Sequence, residues 1–265
     1  MCVLYYALQH VYTVEGFQSI GAIPTHIWQT YKTKQLPGPA ARMRETWITM
    51  NPEWEAQLYD DADIESYIKT SWSEPMYEFY TKLPLGVMKA DLWRYLILTT
   101  HGGVYTDVDS ICKVPIKDWF KDFTGSDALV ISPEKDGEQH FCQWTMYCTK
   151  EHPAMRFITQ FILQHYLEHG INTRNEHFVH ETTGPSVWTK AIKAYLNRND
   201  MTAQQLFEEY STDAKEFQAK GIYILSAEHF QGIYSENVYG SLFFGDGYVK
   251  WTEQRDTVVK EALTQ

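Results

Sequence analysis

The sequence predicts an α/β fold with a mixed central sheet. Segments with the composition of buried strands alternate with segments whose apolar residues have helical spacing, and the strands do not recur at the short, even intervals of a β-sandwich. The chain has 265 residues, of which 44% are hydrophobic and 22% are charged. That composition is typical of a folded globular domain and excludes a disordered or collagenous chain.

The first part of the chain predicts two strand–helix pairs and a further helical segment. Pro39 suits the first turn of a helix because its missing N–H would have no partner there. Asp60 or Asp61 suits an N-cap, since its carboxylate accepts from free backbone N–H groups. The predicted strands are residues 22–29 and 54–59, and the predicted helical segments are 39–50, the stretch from this cap to Ile68, and 76–80.

Residues 86–101 predict an apolar helix that ends at two glycines. Gly102 and Gly103 follow it directly, which is the pattern of a helix with a left-handed C-terminal cap. A short β-prone segment, residues 104–106, then leads to Asp107 and Asp109. Two carboxylates at positions i and i+2 therefore lie at the end of a short strand.

The second half of the chain continues the alternation. It predicts strands at residues 128–131, 141–148 and 222–225, a helix at 153–169, and a helix that begins at the turn 182–186 and ends near Asn197. No repeat or low-complexity stretch divides the chain, so we expect a single domain.

Charge and composition exclude several classes of partner. The formal net charge is −11 and no run of Lys and Arg forms a basic patch, so we expect no nucleic-acid partner. No stretch approaches 18 consecutive apolar residues, and the opening segment lacks a basic start, so we expect no transmembrane segment and a soluble, cytoplasmic protein. The four cysteines have no metal-site spacing and predict free, mostly buried thiols; they are Cys2, Cys112, Cys142 and Cys148.

Carboxylates are the groups that point to chemistry in this chain. The sequence lacks GxGxxG, the P-loop, HExxH, GxSxG and the EF-hand loop. Asp107 and Asp109 suit a hard divalent cation, and such an ion neutralises the charge on a departing diphosphate. The motif alone leaves a structural role open, because paired Asp residues are common in turns.

Asp91 and Arg94 lie three residues apart on the predicted helix, so they share one face. They stand among apolar residues, and a carboxylate and a guanidinium on a buried helix need polar partners. A surface ion pair is the alternative.

The run DLWRYLILTTHGGVYTDVD at residues 91–109 resembles the D-x-x-R-Y-x-x-L-x-x-x-G-G-x-Y-x-D-x-D signature of glycosyltransferases with a sugar-binding DXD region. It is similar to family 32, which includes fungal alpha-1,6-mannosyltransferases and inositolphosphorylceramide mannosyltransferases, and more distantly to the clostridial glucosylating toxins. IPTHIWQT at 23–30, WEAQLYDDADI at 54–64 and TGPS at 183–186 match further family motifs, in family order.

This resemblance implies a GT-A nucleotide-sugar-binding fold over residues 1–265, with a donor-binding core at 20–150 and a helical, acceptor-side part at 151–265. It implies a retaining transfer of mannose, glucose or galactose from a GDP- or UDP-linked donor to a hydroxyl of a glycan, lipid or protein. The cofactor it implies is Mn²⁺ or Mg²⁺. No side chain is identifiable as a nucleophile for a double displacement.

The resemblance also implies roles for individual residues. Asp109 would bind the metal directly, and Asp107 would contact it through water and would contact the ribose. Asp91 and Arg94 would hold sugar hydroxyls. The implied catalytic set is Asp91, Arg94, Asp107 and Asp109. The implied donor-binding set is Asp91, Arg94 and Asp107 with Gly103, Tyr105 near the base and ribose, and Trp28 at the base. For Trp28 a core position is the equal alternative.

The sequence departs from the family pattern in two places. Ala90 replaces a small hydroxyl residue before the helix Asp, and residues 242–248 lack the His and Trp of the H-x-x-G-S-W motif, which carries a further metal or phosphate ligand in the family. Asp246 is a substitute metal ligand unless it belongs to an ordinary Gly-Asp-Gly turn. Two other functions therefore remain open: a catalytically silent sugar-nucleotide-binding domain, and a metal-dependent phosphohydrolase.

Overall fold

A computed structural model describes residues 25–119, 127–135, 139–238 and 250–264. Its centre is a six-stranded sheet with a separate two-stranded ribbon beside it. The strands are β1 (His26–Thr30), β2 (Glu55–Tyr59), β3 (Gly103–Thr106), β4 (Ser110–Cys112), β5 (Leu129–Ile131), β6 (Thr145–Cys148), β7 (Ile222–Ile224) and β8 (Ser235–Asn237).

The sheet has the order β2-β1-β3-β6-β5-β7. Strand β1 is parallel to both β2 and β3, β6 is antiparallel to β3 and β5, and β5 is parallel to β7. The other five strands therefore run in one direction and β6 runs against them, which confirms the predicted mixed sheet. The carboxyl ends of β1, β2 and β3 consequently meet at one edge.

Helices cover both faces of the sheet. They are α1 (Gly38–Met50), α2 (Asp61–Ser71), α3 (Glu74–Lys82), α4 (Gly86–His101), α5 (Pro153–His169), α6 (Phe178–Thr182), α7 (Pro185–Leu196), α8 (Ala203–Thr212), α9 (Lys215–Ala219) and α10 (Trp251–Thr264). A 3-10 turn spans Ile116–Asp118, and an irregular helical turn spans His229–Ile233.

The helix ends follow the predicted capping chemistry. Asp60 caps α2, accepting from the N–H groups of Ala62 and Asp63, while the Asp63 side chain accepts from the Asp60 N–H. Gly102 ends α4 at φ 65°, a positive φ that glycine adopts readily, and its N–H donates to the Leu98 carbonyl. The predicted helices at 39–50 and 153–169 match α1 and α5 closely.

Two strand predictions need correction. Of the segment 141–148, only Thr145–Cys148 forms strand β6, while Phe141 makes an isolated bridge with Pro133. The backbone carbonyl of Gln143 instead accepts from Arg94 at 3.2 Å, and the Phe141 N–H donates to the Thr189 hydroxyl at 2.8 Å, so side chains take two of the hydrogen bonds that a neighbouring strand would make. The first predicted strand is observed as His26–Thr30, and residues 22–24 lie outside the described residues.

The sheet separates two buried clusters because successive residues of a strand face opposite sides. Trp28 and Tyr105 face helices α2–α8, whereas Ile27 and Val104 face α1 and the β4–β8 ribbon. On that second side, the Trp47 indole of α1 donates to the Ser110 carbonyl at 3.0 Å, which fixes α1 against β4.

Three buried thiols agree with the prediction from the sequence. Cys112, Cys142 and Cys148 are free and buried, as predicted, and burial raises the pKa of each thiol, which makes all three poor nucleophiles. Cys2 lies outside the described residues. Of the helices in the described part of the chain, none is long and apolar enough to cross a membrane.

Candidate functional site

A close contact between two strands places the candidate site directly after α4. Gly103 opens β3 with φ +100°, and a Cβ on it would lie 2.5 Å from the carbonyl oxygen of His26 on β1. Only glycine lets the chain pass from α4 into β3 at this distance. Asp107 and Asp109 follow β3 at the carboxyl edge of the sheet. Gly103 thus serves the backbone path; the donor contact implied for it stays a prediction.

Asp91 and Arg94 form a buried ion pair on α4. Arg94 Nη1 lies 3.3 Å from Asp91 Oδ1, and their side chains are 4% and 1% exposed. Gln143 donates to Asp91 Oδ1 at 3.0 Å, and Thr183 donates to Oδ2 at 3.1 Å. The surface alternative is therefore wrong, since the pair lies inside the protein with its charges compensated.

The electrostatics of this pair follow from its burial. Burial raises the pKa of Asp91, and Arg94 opposes that shift. Burial also works against the charge of Arg94, but Asp107, Tyr105 and Asp91 outweigh it, so the pKa of Arg94 lies above its usual value. Arg94 therefore stays a fixed cation at the centre of the site.

Arg94 extends the ion pair to Asp107. Its Nη2 lies 3.2 Å from Asp107 Oδ1, and its guanidinium lies 4.6 Å from the centre of the Tyr105 ring. The Tyr105 hydroxyl donates to the same Asp107 oxygen at 2.5 Å. The Asp107 carbonyl accepts from the Ser110 hydroxyl at 2.5 Å. Neighbouring protein groups therefore fix both the carboxylate and the backbone carbonyl of Asp107.

Asp109 has fewer partners. Its carbonyl accepts from Val238 N–H at 2.9 Å, and its Oδ1 lies 3.4 Å from the amide nitrogen of Asn237. Burial, together with the charge of Asp107, raises the pKa of Asp109 to about 7. The Asn237 amide oxygen is buried and has no hydrogen-bond partner. A half-buried carboxylate and a partnerless amide oxygen therefore stand side by side.

These oxygens fit a hard divalent cation, which takes carboxylate and amide oxygens and keeps several waters. Asp107 and Asp109 supply the carboxylates and Asn237 supplies an amide oxygen. Among the described residues, no group of three or more His, Cys, Asp or Glu side chains could hold a metal ion. A third ligand from the described residues must therefore be a different kind of side chain, such as the Asn237 amide. Asp246 lies outside the described residues and stays a prediction.

Trp28 and Tyr105, the two aromatic residues predicted to contact the donor, are both buried. The Trp28 indole is 3% exposed, donates to the Gly102 carbonyl at 2.7 Å and packs against the rings of Tyr59 and His101. This is the core position that the sequence left as the alternative. Tyr105 is fully buried, and burial raises its pKa well above the usual value, so its hydroxyl remains a donor to Asp107.

Three residues of the site were missed by the sequence analysis as functional groups. Gln143 contacts Asp91, Arg94 and Tyr95, Thr183 contacts Asp91, and Asn237 contacts Asp109. Thr183 lies in the TGPS turn, which the family motif had marked. Gln143 and Asn237 carry no local signal, because each reaches its partner from a distant part of the chain.

Residues 39–125 match the family described as "Glycosyltransferase sugar-binding region containing DXD motif". The chain is 27% identical over 216 residues to the initiation-specific alpha-1,6-mannosyltransferase of Candida albicans. The match covers 70% of this chain and 56% of that protein. It is 34% identical over 93 residues to inositol phosphoceramide mannosyltransferase 3 of Schizosaccharomyces pombe. That match covers 34% of this chain and 25% of that protein.

A solved structure, "PaToxG Glycosyltransferase", superposes with a TM-score of 0.55 at 17% identity, covering 90% of this chain and 87% of that one. These findings confirm the predicted resemblance to the DXD glycosyltransferases and the predicted GT-A fold. The chain spans about half the length of the first curated relatives that it matches.

Proposed function

We propose that this chain, whose residues 39–125 match the sugar-binding region of the DXD glycosyltransferases, transfers a hexose from a nucleotide sugar to a hydroxyl acceptor with the help of a divalent cation. The observation that carries the proposal is a row of charged groups in which Arg94 contacts both Asp91 and Asp107, at 3.3 and 3.2 Å, and Asp109 follows Asp107 by two residues. The row runs from a buried helix to a half-buried carboxylate at the carboxyl edge of the sheet, where ligands bind in open α/β folds.

Among hexoses, we propose mannose. The relatives in Candida albicans and Schizosaccharomyces pombe are named mannosyltransferases. Because of these names, GDP-mannose is the first donor to test. One or two hydrogen bonds in a pocket distinguish mannose from glucose and galactose, so the UDP-linked hexoses are tested next.

The cation would be Mn²⁺ or Mg²⁺, held by Asp109 and Asn237, with Asp107 beside it. When bound, it would neutralise charge on the departing diphosphate. Arg94 stays cationic and already contacts Asp107, so it supplies fixed positive charge next to that diphosphate without reorganisation. Asp91 keeps Arg94 oriented, and a sugar hydroxyl would reach Asp91 by replacing Gln143 or Thr183 as its partner.

The reaction we propose retains the anomeric configuration. The bond between the anomeric carbon and the diphosphate oxygen breaks, and its electron pair leaves with the nucleoside diphosphate. The acceptor oxygen forms the new bond on the same face, and its proton passes to the leaving diphosphate oxygen. Residues 20–150 would bind the donor and residues 151–265 would face the acceptor.

The test is release of nucleoside diphosphate from GDP-mannose and UDP-hexoses with and without Mn²⁺. We expect Mn²⁺-dependent release by the intact chain and its loss in Asp109→Ala. Asp200→Ala is the matched control, because Asp200 is exposed in the connection between α7 and α8. Donor binding without release would favour a silent binding domain, and hydrolysis of simple phosphate esters would favour a phosphohydrolase.

A further inference from the structure

A cavity of about 490 Å³ lies between strand β2 and helix α2. Its volume falls within the range of roughly 300–1,000 Å³ that is typical of small-molecule sites. The helix contributes residues three or four positions apart, which share one face. We call this cavity the slot; it is lined by Lys34, by residues 57–59 of β2, and by Asp63, Ser66, Tyr67 and Thr70 of α2.

The outer edge of β2 forms one wall of the slot. Glu55 and Tyr59 hydrogen-bond to the backbone on the β1 side. Since successive residues of a strand alternate, Ala56 and Leu58 direct their backbone N–H and carbonyl groups outwards. Among the described residues the sheet ends at β2, so the N–H of Leu58 faces the slot and no further strand.

Side chains already take the outward carbonyls of this edge. Arg44 donates to the Ala56 carbonyl at 2.8 Å, and Lys34 donates to the Leu58 carbonyl at 2.5 Å. An added peptide strand needs outward carbonyl and N–H groups together, and basic side chains on an edge oppose such pairing. The slot therefore suits a compact polar ligand better than an extended peptide.

The charges in the slot compensate one another. The Lys34 ammonium pairs with the Asp63 carboxylate. The hydrogen bond from Lys34 lowers the pKa of Asp63, so both groups are charged at neutral pH. No other lining residue is Asp, Glu, Lys, Arg or His. A phosphate in the slot would meet the Asp63 carboxylate, so the slot favours a neutral ligand.

Two half-buried tyrosine rings give the slot an apolar surface. The rings of Tyr59 and Tyr67 have centroids 6.4 Å apart and planes at 83° to one another. The Tyr59 ring also packs 4.9 Å from the Trp93 ring of α4, which fixes its orientation. A surface with so little freedom loses little entropy when a ligand binds.

The slot also offers hydrogen-bond donors and acceptors. The Leu58 N–H is a donor, and the Ser66 hydroxyl is both a donor and an acceptor. Gln57, whose amide nitrogen donates to Glu55 at 2.8 Å, adds its amide oxygen. A pyranose ring matches this combination, because it presents an apolar C–H face together with neutral hydroxyl groups.

The slot lies apart from the proposed donor site. Strands β1 and β2 stand between it and β3, which leads to Asp107 and Asp109. Two strand spacings amount to about 10 Å. A sugar ring in the slot is therefore not the ring that reacts, and it leaves the leaving-group face at Asp109 open.

We infer that the slot binds one hexose ring of an oligosaccharide acceptor, away from the hydroxyl that reacts, an inference that rests on the proposed function. The ring would lie against Tyr59 and Tyr67 and hydrogen-bond with Leu58 N–H, Ser66 and Gln57. An acceptor with several sugar rings would then bind more tightly than a single sugar, because it reaches both sites.

Binding is measured by titration calorimetry with mannohexaose, maltohexaose and cellohexaose, without metal or nucleotide. We expect at least one of them to bind the intact chain. Ser66→Phe, which fills the slot from an exposed helix position, should weaken it by at least about tenfold. Gln57→Leu, which removes one hydrogen bond, should weaken it by about fivefold.

The matched control is Ser71→Phe, because Ser71 is another exposed serine of α2 but does not line the slot. It should bind the sugars as the intact chain does. Equal binding by Ser66→Phe and Ser71→Phe, or no binding by the intact chain, would overturn the inference. Binding of a capped Thr-Val pentapeptide that Ser66→Phe abolishes, with no sugar bound, would overturn it in favour of a peptide partner.

Transfer assays connect the slot to the reaction. The KM for mannohexaose, divided by the KM for methyl α-D-mannopyranoside, should rise about tenfold in Ser66→Phe and stay as it is in Ser71→Phe. An unchanged ratio in Ser66→Phe contradicts the inference and leaves the proposed function standing. An intact chain that binds the sugars but releases no nucleoside diphosphate would overturn the proposed function and, with it, the acceptor role of the slot.

Discussion

The two ends of the charged row differ in how the protein satisfies them. At the Asp91 end, both carboxylate oxygens have protein partners and the side chain is 1% exposed. At the Asp109 end, one amide group lies 3.4 Å away and the neighbouring amide oxygen has no partner. The hydrogen bonds of the first end are complete in the folded chain, whereas the second end has an acceptor oxygen without a partner. Changes at the first should therefore affect folding as well as activity, and changes at the second should affect activity alone.

The largest expected effect follows from removing Arg94. Arg94→Met leaves Asp91 as a buried, uncompensated carboxylate, which should lower the free energy of unfolding by about 3–5 kcal/mol. Chemical denaturation measures the loss. The double variant Asp91→Asn/Arg94→Met removes both charges and should recover much of it. Losses that simply add would show that the two side chains are not coupled.

Asp109→Asn should separate activity from stability. We expect Mn²⁺-dependent transfer to fall by about 10²–10³-fold, since charge stabilisation of the leaving diphosphate is lost. The free energy of unfolding in metal-free buffer should stay within about 0.5 kcal/mol, because the loss of a poorly partnered carboxylate removes its repulsion from Asp107. A loss of stability as large as that of Arg94→Met would mean that both ends are structural.

A third buried group, His152, predicts a dependence of stability on pH. His152 accepts from Ala154 N–H at 3.1 Å at the start of α5, and burial lowers its pKa to about 4. The unfolded chain, with a His pKa near 6.5, binds the proton more readily. The His152 contribution is therefore complete above pH 6.5 and is lost as the pH falls towards 4, by about 3 kcal/mol in total.

The measurement is the difference in unfolding free energy between the intact chain and His152→Asn from pH 4 to pH 7. Asp91, whose raised pKa gives a pH dependence of opposite sign, is present in both proteins and cancels. The exposed His177 provides the control, and His177→Gln should leave the pH profile as it is. A His152→Asn profile parallel to that of the intact chain would contradict the prediction.

The smallest effect concerns the backbone between the two ends. Gly103→Ala places a Cβ 2.5 Å from the His26 carbonyl oxygen at φ +100°, and should cost about 2 kcal/mol of stability. Gly170→Ala is matched, because Gly170 also has a positive φ, +67°, but no atom lies within 4 Å of its added Cβ. It should cost about 1 kcal/mol. Thermal unfolding of both variants compares them, and equal losses would show that the contact with β1 does not matter.

Much of the first half of the fold could be predicted because its signals are local. The Asp60 cap, the proline at the start of α1 and the glycine at the end of α4 each act within one helical turn. The prediction was wrong for residues 141–144, where an apolar run suggested a strand. The Gln143 carbonyl there accepts from Arg94 of α4 and the Phe141 N–H donates to Thr189 of α7, and no nearby residue signals these contacts.

The candidate site divides in the same way. The family motif gave the positions of Asp91, Arg94, Asp107 and Asp109, and the structure joins the first three through hydrogen-bond distances. Trp28 had two open interpretations from sequence, and its burial against Tyr59 and His101 favours the core. Neither spacing nor composition distinguishes a buried indole from one that faces a ligand.

By itself, the amino-acid order determined the alternation of strands and helices, the caps and the charged residues that follow β3, because these depend on neighbours within a few positions. Only the tertiary structure decided which charges are compensated. Gln143, Thr183 and Asn237 lie 52, 92 and 128 residues from the carboxylates that they contact. Contacts at such separations form when the sheet and helices pack together, and no local pattern specifies them.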